Sequence, residues 1–136
     1  MKIAIIGASG FLGTKHVMLT LSKYGFHDLA YKLFKQTEYP SWGYSVVNGS
    51  TSIWDRWNSY TKDESSNSDL NSKMNSFSHY AFGSVAEWMF IHAVGIDTED
   101  SGYRNIIIKP AISKEMNFIK GSYNSINGTI SSAWNW

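Results

Sequence analysis

An α+β fold is what this sequence predicts, and three observations carry the prediction. Apolar residues before Gly95 recur at helical spacing. After Gly95 the period shortens to that of strands. Asn127-Gly128 then stands between two strand-like runs, a strong signal for a two-residue hairpin. Helices first and strands afterwards give segregated layers rather than alternating βα units.

Taken in order, residues 1–6 read as a short buried strand, since Ile3, Ala4, Ile5 and Ile6 are continuously apolar. Thr14 is placed to cap a helix over 15–24, which Gly25 closes. Val17, Leu21 and Tyr24 share one side of it, with Met18 beside them. Asp28 is placed to cap a second helix over 29–36, with Ala30, Leu33 and Phe34 apolar. Two helices joined at a Gly turn make an antiparallel pair, the repeating unit of an α/α toroid. Pro40 stops helical structure. Residues 39–60 form a long irregular segment, and its aromatic content argues for a functional loop rather than disorder. Residues 62–72 are rich in Ser, Asn and Asp and read as a mobile surface loop. The best helix runs over 77–94 and is apolar nearly all round, which predicts burial on several sides. Strands are expected over 105–109, 116–120 and 129–134. The composition shifts near 97–102, so the domains are expected at 1–97 and 98–136, with 1–9 an atypical start. No internal repeat is visible.

The 136 residues suffice for one ordinary domain or a piece of a larger one. Twelve basic against eleven acidic side chains leave a net charge near +1, which gives no reason to expect nucleic acid or a membrane as partner. The absence of cysteine excludes a disulfide frame and thiolate metal sites. No apolar run has the length of a membrane span, and no signal-peptide pattern opens the chain, so the cytoplasm is the default compartment. Six tryptophans and eight tyrosines are the outlier; such an excess serves cores, interfaces or stacking platforms for sugars.

Several of these aromatics flank a carboxylate in Gly49-Ser50-Thr51-Ser52-Ile53-Trp54-Asp55-Arg56-Trp57-Asn58-Ser59-Tyr60. Indole faces suit the C–H face of a sugar ring, and the acid between them can act on a bond or a water. Further on comes Met74-Asn75-Ser76-Phe77-Ser78-His79-Tyr80-Ala81-Phe82-Gly83. Together with Tyr39-Pro40-Ser41-Trp42-Gly43-Tyr44, Glu87-Trp88-Met89, Gly95-Ile96, Ile107-Ile108-Lys109-Pro110 and Gly121-Ser122-Tyr123, these segments resemble the C-terminal part of the catalytic domain of bacterial α-L-rhamnosidases, glycoside hydrolase family 78. The resemblance is collinear from about Phe11 onward. It implies a mainly helical piece of an (α/α)6 toroid followed by the first antiparallel strands of a truncated β-sandwich, with further sandwich strands beyond Trp136.

The resemblance also implies roles. The position matching Asp55 is normally glutamate in that family, the general base that takes a proton from the water attacking the anomeric carbon. In such inverting enzymes a second carboxylic acid, about 6.5–9.5 Å away, protonates the leaving oxygen. Aspartate is one methylene shorter, and a displacement of about 1 Å can cost on the order of 10²-fold in rate. Read from the pattern alone, Asp55 is more simply a partner of Arg56 or a turn cap; the family match turns the reading toward the site. Trp54, Trp57 and Trp42 are candidate sugar platforms, against the plainer reading of core packing. His79 matches a histidine that contacts the sugar, against the commoner fate of a satisfied core histidine. Asn75 is a weaker sugar contact or a helix cap, and Glu87 is structural.

The general acid lies, by the resemblance, on earlier parts of the toroid, so this chain alone is expected to be inactive. Losing leaving-group protonation costs about 10²–10⁴-fold. The expected partner is a rhamnose-containing glycoside, with self-association through apolar faces that lack partners. A non-catalytic sugar-binding remnant is the alternative within the family. His16, His27 and His92 have no metal-ligand spacing, so no metal and no cofactor are expected.

A rival motif opens the chain. Gly7-Ala8-Ser9-Gly10-Phe11-Leu12-Gly13 follows an apolar run and precedes a helix, as in short-chain-type NAD(P)-binding proteins. That reading needs a second parallel strand ending in an acid about 20 residues on. A helical pattern, residues 29–35, stands there instead. Gly10 to Thr14 also fits the family's Gly-Phe-Leu-Gly-Thr turn.

Overall fold

The computed structural model describes residues 11–57, 59 and 76–136. The strand expected over 1–6, the loop over 62–72, Gly7, Gly10 and Asn75 lie outside them. The described fold is α+β, with helices first and antiparallel strands after. It resolves into two compact units, one from 1–17 and 32–84 and one from 18–31 and 85–136.

Helix α1 (Phe11–Lys23) ends because Gly25, at φ +82°, takes the left-handed conformation that a side chain disfavours. The Gly25 N–H donates to the Ser22 carbonyl at 3.1 Å and the Phe26 N–H to the Leu21 carbonyl at 2.8 Å. This paired arrangement caps the last carbonyls. The Phe26 carbonyl at once accepts from Ala30 N–H, so α2 (His27–Lys35) starts without a linker. Both expected caps are therefore corrected. Thr14 lies inside α1 and is buried, because the helix starts earlier. Asp28 lies in the first turn of α2, where its charge complements the helix dipole. Its Oδ1 accepts from Ser113 Oγ at 2.6 Å.

In the first unit, part of the segment expected to be irregular is helix α3 (Trp42–Val47). Ser41 Oγ accepts from Tyr44 N–H at 2.9 Å, and Gly49, at φ +89°, closes the helix. Six residues are too few to show a period, which is why the sequence pattern missed it. Gly43 has a specific reason: a Cβ there would stand 2.2 Å from the Gln36 carbonyl oxygen.

The continuous helix expected over 77–94 is α4 (Tyr80–Gly83), α5 (Val85–Trp88) and a π-helical segment (Met89–Val94). Ser84 interrupts it; its Oγ donates to the Ala81 carbonyl at 2.6 Å and competes with the helical ladder. Nor is it buried all round. Phe77, Tyr80, Met89 and Phe90 are exposed, whereas Trp88 is fully buried.

The second unit is organised around the end of the π-helical segment. Carbonyls there have no helical partner and must find others. Those of His92, Ala93 and Val94 accept from Ala111 N–H (2.7 Å), Trp134 Nε1 (2.8 Å) and Ser132 Oγ (2.7 Å). Gly95, at φ +79°, turns the chain into β1 (Ile96–Thr98), which pairs antiparallel with β2 (Ile106–Ile108), Ile96 opposite Ile108. β3 (Phe118–Ser125) and β4 (Gly128–Asn135) form the second hairpin, Ser125 opposite Gly128. The loop is thus Ile126-Asn127, one residue earlier than expected, with Gly128 already paired at φ +124°. β4 alternates as a half-buried strand should: Ile130, Ser132 and Trp134 point inward. Val94, Ile96 and Ile130 form the local core, flanked by Tyr103 and Ile119. β1 was not foreseen, three residues being too short to alternate visibly.

Candidate active site

The site residues lie in the first unit. Two backbone hydrogen bonds hold their segments side by side: Asp55 N–H to the Ser76 carbonyl and His79 N–H to the Ile53 carbonyl, both 2.8 Å. Ser52 Oγ adds a bond to the Phe77 carbonyl. This clamp brings residues 24 positions apart into register without forming a regular sheet.

His79 is the N-cap of α4. Its Nδ1 accepts from Ala81 N–H at 3.2 Å. A neutral imidazole that accepts at Nδ1 carries its proton on Nε2. That Nε2 faces Asp55 Oδ1 at 3.6 Å. The separation exceeds a hydrogen bond, so Asp55 retains acceptor capacity for another donor. The side chains of His79 and Asp55 are 28% and 20% exposed, within reach of solvent but largely sheltered. The exposed Tyr80 ring stacks on His79, centroids 5.4 Å apart and planes 15° apart.

The tryptophans gather next to this pair in sequence. Trp42, Trp54 and Trp57 line one hollow of about 50 Å³ with Ile53 and Phe82. Asp55 and His79 are not among its lining residues. Trp54 is buried, edge-on to Phe77 at 6.1 Å. Trp42 meets Trp57 edge-on at 5.3 Å and donates from Nε1 to the Phe82 carbonyl at 2.9 Å. Trp57 lies 4.1 Å from Phe82, and its buried Nε1 has no hydrogen-bond partner among the described residues. Glu87 is exposed.

Sequence reasoning missed two features. The N-cap role of His79 was hidden because the helix was placed too early. His27 and His92, 65 positions apart, come to 6.2 Å between ring centroids, and nothing in linear spacing signals that. Among the described residues no group of three or more His, Cys, Asp or Glu is placed to hold a metal.

The first unit carries a carboxylate, a histidine and clustered indoles, and antiparallel strands follow them in the chain. The family model for the bacterial α-L-rhamnosidase six-hairpin glycosidase domain matches residues 6–93, and that for the bacterial α-L-rhamnosidase C-terminal domain matches 95–136. The chain belongs to the bacterial α-L-rhamnosidase family. It is 39% identical over 127 residues to an α-L-rhamnosidase of Streptomyces avermitilis, covering 93% of this chain and 12% of that protein. An α-L-rhamnosidase of Formosa agariphila is 41% identical over 126 residues, covering 93% and 13%. Among solved structures, the Streptomyces avermitilis α-L-rhamnosidase complexed with L-rhamnose superposes with a TM-score of 0.82 at the same 39% identity, covering 93% of this chain and 12% of that one. The native α-L-rhamnosidase of Aspergillus terreus also gives 0.82, at 36% identity, covering 93% and 14%. The chain thus spans about an eighth of the length of the curated relatives it matches. The match to the first family model takes in Gly7, Gly10 and Gly13. Both described sheets are antiparallel.

Proposed function

We propose that this chain supplies the water-activating side of a cleft that hydrolyses terminal rhamnose with inversion. Asp55 is the general base. His79 contacts the sugar, Trp54, Trp57 and Trp42 make the apolar packing beside the Asp55 segment, and Asn75, outside the described residues, is an additional contact. The observation that carries this reading is the approach of His79 Nε2 to Asp55 Oδ1, held by backbone bonds on both segments, in a chain of the rhamnosidase family.

Chemically, a base must accept from water while its neighbours keep the sugar in place. Asp55 has acceptor capacity beyond its approach to His79, and His79 is held in place by the bond its Nδ1 accepts from Ala81 N–H. Protonation of the leaving oxygen needs a second carboxylic acid, which the resemblance implies on earlier helices. Alone, therefore, the chain binds rhamnose and turns over a rhamnoside no faster than background. The domain reading goes with this: residues 1–97 serve the catalytic domain and 98–136 the sandwich.

The test is calorimetric titration of the chain with L-rhamnose and with NAD, alongside release of chromophore from an aryl rhamnoside. Saturable rhamnose binding, weakened at least about tenfold by His79→Ala and unaccompanied by turnover, is the expected result. NAD binding without rhamnose binding overturns the reading. Turnover abolished by Asp55→Asn overturns the expected inactivity while keeping Asp55 as base.

A further inference from the structure

We propose that the second unit carries a binding site for a small divalent oxyanion of the sulfate or phosphate type, in the hollow between Lys23, His27, His92 and Lys109. The hollow has a volume of about 360 Å³ and is further lined by Ser22, Gly25, Pro110 and Ala111. All of these residues belong to the second unit, so the site is independent of Asp55 and His79.

Three features point to an anion. Two lysines and two histidines are among the lining residues, and no aspartate or glutamate is. Asp28, next to His27, is engaged by Ser113 at 2.6 Å. Ser22 Oγ accepts from Trp88 Nε1 at 2.8 Å, which leaves its own proton to donate. Lysine and protonated histidine are strong donors to oxyanions because the charge shortens and strengthens the bond.

A cation fits less well. Two imidazoles with centroids 6.2 Å apart offer at most two ligands, and the flanking lysines repel a metal ion.

The site is also coupled to pH. Burial holds the His92 ring below the usual histidine range; repulsion by His27 adds to this and Asp97 opposes it. The titratable groups around His92 are His27, Lys23, Lys109 and Asp97. Bound anion favours the imidazolium, so binding takes up protons and tightens as pH falls through the histidine range.

The experiment uses the 136-residue chain with sodium sulfate, whose charge is constant between pH 5 and 8, against chloride at matched ionic strength. The ring C–H resonances of His27 and His92 are followed by NMR. Saturable shifts of both rings are expected, with affinity rising several-fold, at most about tenfold per proton taken up, for each unit of falling pH. Lys23→Gln with Lys109→Gln weakens sulfate binding by at least about tenfold while Asp55→Asn leaves it unchanged. Rings that stay unmoved at tens of millimolar sulfate overturn the proposal. So does binding that is unaffected by both lysine substitutions, or a saturable response to zinc but not to sulfate. If the double substitution impairs folding, the wild-type pH dependence alone decides: affinity that is flat from pH 5.5 to 7.5 rejects the site.

Discussion

Asp55 and His79 show how much a single side chain depends on its backbone. The Asp-to-Glu difference is one methylene, yet general-base catalysis is sensitive to about 1 Å. When this segment is placed in a complete six-hairpin domain, Asp55→Glu is expected to raise kcat by about 10-fold to 10²-fold, measured on an aryl rhamnoside. An unchanged or lower rate shows that the clamp through Ser76 and Ile53 already positions the shorter carboxylate. His92 makes a prediction about stability. Its folded-state pKa is depressed, so the unfolded chain binds more protons once pH falls below the ordinary histidine value of about 6.5. Its contribution to stability is complete above that value and is lost as pH falls toward the folded pKa. Chemical denaturation of His92→Gln between pH 5 and 7 should show a flatter pH dependence than the native chain. Tyr31 runs the other way. Burial pushes its hydroxyl up to about 12, and the oxygen has no hydrogen-bond partner among the described residues. Stability therefore falls as pH rises from 10 toward 12. Tyr31→Phe removes an unsatisfied polar atom while keeping the edge contacts to Trp88 and Trp134, at 5.2 and 6.4 Å. It should be neutral or stabilising by up to about 1 kcal/mol near neutral pH, and should abolish that alkaline loss.

At the scale of elements, helix ends account for most of the architecture. The three carbonyls at the end of the π-helical segment are satisfied by the β2–β3 connection and by β4, so the hairpin is fastened by polar groups as well as by its apolar face. Ser132→Ala leaves the buried Val94 carbonyl without its donor and should cost about 1–3 kcal/mol in denaturant unfolding. Gly121→Ala tests the same junction sterically, since a Cβ there would meet Val94 Cγ2 at 2.7 Å. Overpacking of that kind costs about 1–3 kcal/mol. Gly25→Ala, by contrast, meets no atom within 4 Å and pays only for its positive φ, so its loss should be the smaller. These element ends also mark where sequence reading succeeded. Gly25 and Gly95 were legible as stops because a left-handed residue is chemically marked. Asn127-Gly128 located a turn but not its register, because Gly128 at positive φ suits a paired strand residue as well as a loop position.

For the whole molecule, exposed apolar side chains remain on both units: Tyr80, Val46 and Val47 on one, Ile126, Phe118 and Trp136 on the other. Such surface invites association. We expect sedimentation velocity to show concentration-dependent oligomers in the micromolar range; a monomer at all concentrations would show that these side chains are too scattered to form a patch. Among the described residues, no helix is long and apolar enough to cross a membrane.

Composition, period and the collinear aromatic and acidic motifs by themselves determined the α+β class, the order of helices before strands and membership of the family. Each of these is a property of local spacing or of residues read in line. The approach of His79 to Asp55, the meeting of His27 with His92 and the capping of the π-helical segment by Ser132 and Trp134 were decided only by tertiary structure. They join residues 24 to 65 positions apart, and no local period records which distant side chain will satisfy a given polar group.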